Sequence, residues 1–214
     1  MKQQVENRPL MSCWPTNIYT WKIIDSELLD QCLKQALDLI PDSDTIKNAV
    51  NNATIRPWSS DDLLHLNKEW EPLTNLILFE VNRVLDHNGI IRDDAYISSM
   101  WLNAAYQHNN HIAHTHPNSI YSGVIYLQCP KDSQHLIFFD PRPQTSVMQM
   151  NSTIENSYAS IDPSVGIMAL WPSWLVHSTQ SLTSNQLDEP RLSIAFNIMI
   201  KSNIDIPNAR INLT

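Results

Sequence analysis

His114 and His116 stand two residues apart in the stretch His111-Ile-Ala-His114-Thr-His116-Pro-Asn-Ser. On an extended strand both imidazoles would leave the same face, roughly 6.6 Å apart at about 3.3 Å per residue. Two converging imidazoles are half of a metal site. His111 has the wrong parity for that face, and His108 would lie roughly 20 Å away on an extended chain. Neither is expected as a third ligand, which must come from elsewhere. The bland alternative is a pair of polar residues beside a turn.

Later stretches offer further groups. Leu170-Trp-Pro-Ser-Trp-Leu-Val-His177 puts a histidine at a strand start after a tight turn. Arg191 then interrupts an otherwise alternating, half-buried strand, Arg191-Leu-Ser-Ile-Ala-Phe-Asn197. A cation in that setting calls for a fixed carboxylate partner. The plainest such partner would be Asp188 or Glu189 in a surface ion pair.

These residues must be positioned by elements legible in the pattern. A short strand over 18–24 leads to Asp25 or Ser26, either able to cap a helix. Leu28, Leu29, Cys32, Leu33, Ala36, Leu37 and Ile40 then recur at helical spacing until Pro41. Residues 41–60 read as irregular, with Arg56-Pro57-Trp58 over the core, and 59–62 as a capping signal for a short helical turn. A second amphipathic helix is expected over 72–87, stopped by Asn88-Gly89. After Asp94 the period becomes strand-like, with strands expected at 96–106, 112–115, 120–128, 135–139, 157–161, 167–172, 176–180 and 192–200. Two helices followed by about eight short strands make an α+β chain whose sheet part is a sandwich or barrel. The polar stretch 141–156 is a lid or a plain connection.

Bulk properties narrow the class. Of the 214 residues 43% are hydrophobic and 17% charged, enough for a sizeable core. The net charge of −8 argues against nucleic acid, since no basic stripe is present. Cys13, Cys32 and Cys129 form no Cys-x-x-Cys pair, so neither a disulfide framework nor a thiolate zinc site is indicated. No apolar run reaches membrane-spanning length and the first residues lack a signal-peptide core. A cytoplasmic protein, with no nucleic-acid or membrane partner, is the expectation.

The order His-x-His, Ser-Gly-Val-x-Tyr-Leu, Asp-Pro-Arg, Trp-Pro-Ser-x-Leu-x-His and Arg-x-Ser-x-x-Phe-Asn resembles the 2-oxoglutarate/Fe(II) dioxygenases. It is similar in particular to a bacterial and phage group of oxygenases related to prolyl hydroxylases. The resemblance covers 101–200 well and the helical part more loosely. It implies a double-stranded β-helix of the jelly-roll or cupin type, with the N-terminal helices packed on one sheet. It further implies one domain over 1–214: helical support over 1–94, β-helix core over 95–200 and a tail over 201–214. Iron would sit on His114, His116 and His177. The far carboxylate of 2-oxoglutarate would meet Arg191, with Tyr126, from the facing sheet, as a hydroxyl partner. The implied activity is oxidative decarboxylation of 2-oxoglutarate to succinate and CO2, coupled to hydroxylation of a peptide side chain or small molecule with O2. One departure stands out: the wider superfamily has His-x-Asp or His-x-Glu where this chain has His114-Thr-His116.

Asn103, Arg142 and Asn197 are candidates for substrate contact or for bracing the site. Trp58, Trp101, Trp171 and Trp174 are expected to pack the sandwich. Two competing readings remain: a three-histidine cupin-type iron dioxygenase that does not use 2-oxoglutarate, and a catalytically silent β-helix binding module. For assembly, a homodimer is left open.

Overall fold

Alternation along the strands sorts their side chains into two cores. In the computed structural model, which describes residues 13–41, 56–106, 109–143, 158–179, 189–206 and 209–213, ten strands form two antiparallel sheets. The strands are β1 (Tyr19–Lys22), β2 (Trp58–Ser59), β3 (Asp94–Ala105), β4 (Tyr121–Gln128), β5 (Leu136–Phe139), β6 (Tyr158–Ile161), β7 (Ile167–Pro172), β8 (His177–Thr179), β9 (Arg191–Ile206) and β10 (Ala209–Leu213). The larger sheet runs β1-β7-β4-β9-β3-β2, with β10 paired to β9. The smaller runs β6-β5-β8.

On β9, Leu192, Ile194, Phe196 and Ile198 face one way, and Arg191, Ser193, Ala195 and Asn197 the other. The first set joins Met100 and Leu102 of β3, Ile125 of β4 and the two helices in the outer core. Val124 and Tyr126 of β4 and Trp171 of β7 instead meet Leu136 and Phe138 of β5, closing a second core between the sheets. This is the double-stranded β-helix anticipated from the sequence, with both helices on the outer face of the larger sheet.

Helix α1 (Ser26–Leu39) starts where expected: the Asp25 carboxylate accepts the Leu28 amide at 3.0 Å, removing one orphan donor. Cys32 and Ala36 are its most buried residues. Helix α2 (Glu71–His87) has Pro72 in its first turn and buries Leu73, Ile77, Val81, Val84 and Leu85. It ends at Asn88 and at Gly89, whose φ of 65° is the left-handed conformation that glycine adopts freely. Burial of those apolar stripes against the sheet, rather than helix propensity, holds both helices in place.

Four sequence expectations differ from the structure. The segment 112–115 is not a strand; only His114 makes a ladder bridge, to His177. The short helical turn foreseen at 59–62 lies further on, as two 3-10 turns at Leu64–Leu66 and Lys68–Trp70, while Trp58–Ser59 pairs with β3. The final strand does not stop near 200: β9 continues to Ile206 and folds back on β10, where a tail was expected. Trp174 does not pack the sandwich but is 57% exposed, because it occupies the tip of the tight turn between β7 and β8. His108 and residues 144–156 of the expected lid or connection lie outside the described residues.

Candidate active site

The cleft between the sheets opens at the end where β8 meets the segment 111–116. His114 and His177 exchange backbone hydrogen bonds, N–H to O at 3.0 and 3.1 Å. Two residues further along β8, the Thr179 amide donates to the carbonyl of His111 at 3.0 Å. Two residues of advance on β8 thus match three on the facing segment, the count of a β-bulge. The extra residue reverses parity, so His111 turns into the cleft together with His114. The strict alternation assumed from the sequence excluded it. A further bond, His116 N–H to Ser173 O at 3.0 Å, seats the next histidine against the β7–β8 turn.

The three expected histidines converge. Their ring nitrogens lie within 4.8 Å of one another, one from each residue. Each ring's Nδ1 is held by an oxygen that can only accept: His114 by Ile112 O at 2.7 Å, His177 by Leu175 O at 2.9 Å, His116 by Asn197 Oδ1 at 2.6 Å. In the neutral form of each ring, Nδ1 therefore carries the hydrogen and Nε2 the lone pair. The Nε2 atoms of His114 and His116 face each other at 3.2 Å. Two lone pairs so close repel unless a cation lies between them, and a divalent metal meets that need with the tautomers already set. Among the described residues no carboxylate joins this cluster.

Electrostatics favour the neutral form at His177, His116 and His111. Burial lowers the His177 pKa to about 3, with the nearby histidines adding to the effect against the Leu175 hydrogen bond. His116 is also lowered, by burial first, against the opposing Asn197 hydrogen bond. His111 falls to about 4 through burial, then the charges of His114, Arg191, His116 and Arg56.

Deeper in the same cleft, Arg191 is 2% exposed. Its Nη1 donates to the backbone carbonyl of Gln134 at 2.8 Å, and its buried Nε has no partner. No carboxylate pairs with it among the described residues: the surface ion pair with Glu189 is absent, and Asp188, the other partner expected, lies outside them. Burial pushes its pKa below the usual arginine range. An unpaired buried cation is costly, and an entering anion would relieve that cost. Tyr126 lies beside it, but on the neighbouring strand of the same sheet, not the facing one: Tyr126 pairs with Ser193, two residues from Arg191. Burial raises the tyrosine pKa to about 12, partly offset by Arg191.

The cleft holds about 490 Å3 of empty volume including its open mouth. Trp101, Asn103, Val124, Tyr126 and Trp171 are among its walls. Trp101 stacks on His116, ring centres 6.0 Å apart. The Asn103 carbonyl accepts from Ser59 Oγ at 2.7 Å. Asn197 touches His116 directly. Arg142 is not brought in: it is exposed, grips Asp140 with Nε and Nη2 at 3.0 and 2.7 Å, and borders a separate groove with Trp14 and Trp174. Sequence reasoning missed His111, and also Ser122 and Ser173, small hydroxyls with no motif of their own that sit beneath His116.

The sequence of residues 99–197 resembles a known family. The family whose model matches that segment is described as "Putative 2OG-Fe(II) oxygenase". No curated protein matches the chain in sequence. Among solved structures, the chain is similar to the non-heme alpha-ketoglutarate-dependent epimerase SnoN of nogalamycin biosynthesis, at TM-score 0.60 and 12% identity, covering 87% of this chain and 78% of that one. A prolyl-4-hydroxylase from Pseudomonas putida aligns at TM-score 0.56 and 10% identity, over 87% and 89%. HygX from Streptomyces hygroscopicus, solved with nickel and 2-oxoglutarate, aligns at 0.55 and 11%, over 86% and 82%. The chain spans only 49% of an oxidoreductase of the 2OG-Fe(II) oxygenase family from Burkholderia pseudomallei, at TM-score 0.41. At such identities the likeness is one of fold.

Proposed function

We propose that this chain is an Fe(II)- and 2-oxoglutarate-dependent dioxygenase that hydroxylates a peptide side chain or a small molecule, using O2 and releasing succinate and CO2. The observation that carries the reading is the coexistence, in one cleft, of three imidazoles with ring nitrogens within 4.8 Å of one another and a buried arginine with an unused N–H. His114, His116 and His177 would hold the iron. Arg191 would hold the far carboxylate of 2-oxoglutarate, with Tyr126 beside it. Bound there, iron and 2-oxoglutarate supply the oxidising power; the protein's part is to place the target bond and exclude side reactions.

The residues of this chain divide that work. The carbonyls of Ile112 and Leu175 keep two imidazoles aimed, with the hydrogen of each neutral ring on Nδ1. Arg191 presents a planar fork to a carboxylate at a depth where desolvation strengthens the contact. Trp101 and Trp171 supply apolar walls that limit water around the histidines. The cupin-type alternative without 2-oxoglutarate gives Arg191 no anion to meet, and the silent-module alternative leaves three preset tautomers without purpose.

The same proposal treats 1–214 as one oxygenase domain acting in the cytoplasm. The unpaired Cys13, Cys32 and Cys129 suit a reducing compartment, and no described helix is long and apolar enough to cross a membrane. The net charge of −8 speaks against nucleic acid as the substrate. The test is conversion of 2-oxoglutarate to succinate by the Fe(II)-loaded protein, with and without candidate peptides and small molecules. Iron and 2-oxoglutarate both bound, yet no succinate formed with any candidate, would favour the binding module.

A further inference from the structure

Of the three clustered histidines, two are aimed by backbone carbonyls and one by a side chain. His116 alone depends on a group that a mutation can remove, the Asn197 carboxamide. Resting on the reading of His116 as a metal ligand, we propose that Asn197 is a positioning residue that holds His116 in the Nδ1–H tautomer with Nε2 turned to the centre, backing that ligand with an uncharged amide.

The geometry leaves Asn197 little freedom. Its Oδ1 accepts from His116 Nδ1 at 2.6 Å and from Ser122 Oγ at 2.8 Å. Its Nδ2 donates to Ser99 Oγ at 2.9 Å. Ser122 Oγ is in turn 2.8 Å from Ser173 Oγ, and the Ser173 carbonyl receives the backbone N–H of His116. The ring and the main chain of His116 are thus tied into one network spanning β3, β4, β9 and the β7–β8 turn. Ser122 and Ser173 are both buried, so the network is sheltered from competing water.

An amide at this position has a chemical consequence. A carboxylate accepting the same Nδ1–H would share charge with the ring, making His116 a stronger and partly anionic donor. The amide orients the ring without lending charge. A metal here would keep its full double charge toward a dianionic cosubstrate, because neither a carboxylate ligand nor a charged partner behind the ring offsets it. Asn197→Asp can occupy the same space, because Ser99 can turn its hydroxyl to donate instead of accept.

The experiment uses the full chain in two measurements. In the metal-free protein, side-chain 15N NMR reads the tautomer of His116. In anaerobic titration, Fe(II) alone reads the strength of the centre. The parent should show a single Nδ1–H tautomer. Asn197→Ala should show a tautomer mixture and bind Fe(II) about 10- to 100-fold more weakly. Asn197→Asp should keep the Nδ1–H form, bind Fe(II) more tightly than the parent, and bind 2-oxoglutarate more weakly in the iron-loaded state. A single unchanged tautomer with parent-like iron affinity in Asn197→Ala overturns the proposal. Should that variant fail to fold, Asn197→Asp decides: iron affinity no higher than the parent's overturns it. If the parent itself takes up no iron, the proposed function fails, and the tautomer comparison still decides the positioning role.

Discussion

The guanidinium carbon of Arg191 lies 5.9 Å from the ring centre of Tyr126. The two residues sit diagonally on neighbouring strands, so one face of one sheet carries both the charge and the aromatic surface that borders it. On the proposed function, replacing the arginine should remove the anchor for 2-oxoglutarate and leave the three clustered histidines in place. Breaking a buried charged pair costs about 3–5 kcal/mol, so Arg191→Met should weaken 2-oxoglutarate binding by a few hundred- to several thousand-fold. Arg191→Lys keeps the charge, loses the fork and should weaken it less. Anaerobic titration of the Fe(II) protein measures both; unchanged affinity in Arg191→Met would move the reading without 2-oxoglutarate ahead.

The metal itself gives the second expectation. The parent should bind about one Fe(II) per chain, His177→Ala should abolish binding and His116→Ala should weaken it severely. Metal analysis after anaerobic gel filtration reads the stoichiometry. Full iron content in His116→Ala would remove that residue from the ligand set.

Acid should unravel the metal-free protein in a definable window. His177 and His111 have folded pKa values lowered from 6.5 to about 3 and about 4. Between those values and 6.5 the unfolded chain binds more protons than the folded one, so stability rises with pH there. It should accordingly be lost as pH falls from about 6.5 toward 3, and be level with respect to these two groups above 6.5. Chemical denaturation of the metal-free parent and of His111→Gln across pH 4–8 measures this; the variant should show a shallower slope below pH 6.5.

Gly123 bears on stability rather than chemistry. A Cβ there would fall 2.2 Å from Phe196 Cζ and 2.8 Å from the Ala169 carbonyl oxygen. The phenyl ring of Phe196 fills the outer core against the glycine, and the carbonyl belongs to a paired strand. Gly123→Ala should destabilise the fold by at least the 1–3 kcal/mol typical of overpacking, read as a lowered thermal midpoint.

Much of this architecture was legible in the chain. Alternation on β9 and the apolar stripes of α1 and α2 are local patterns set by the 2.0 and 3.6 periods, so the sheets and helices could be read directly. Motif order supplied His114, His116, His177 and Arg191. What escaped depended on pairing between distant segments. The inward turn of His111 follows from one surplus residue opposite β8, which no pattern within 111–116 reveals. Placing Tyr126 beside Arg191 needed the register of β4 on β9. Arg142 followed its motif into the prediction, but the neighbouring Asp140 captures it at a turn away from the cleft.

Strand β9 is the seam of the larger sheet, flanked by β4 on one side and β3 on the other. Among the described residues, every strand pairing that joins those two halves is made through it. Without it, β1, β7 and β4 would still pair with one another and β2 with β3, but the two groups would have no shared strand. One strand therefore both joins the two halves of the sheet and carries Arg191 and Asn197, so a lesion that displaces β9 would take the architecture and both of these side chains together.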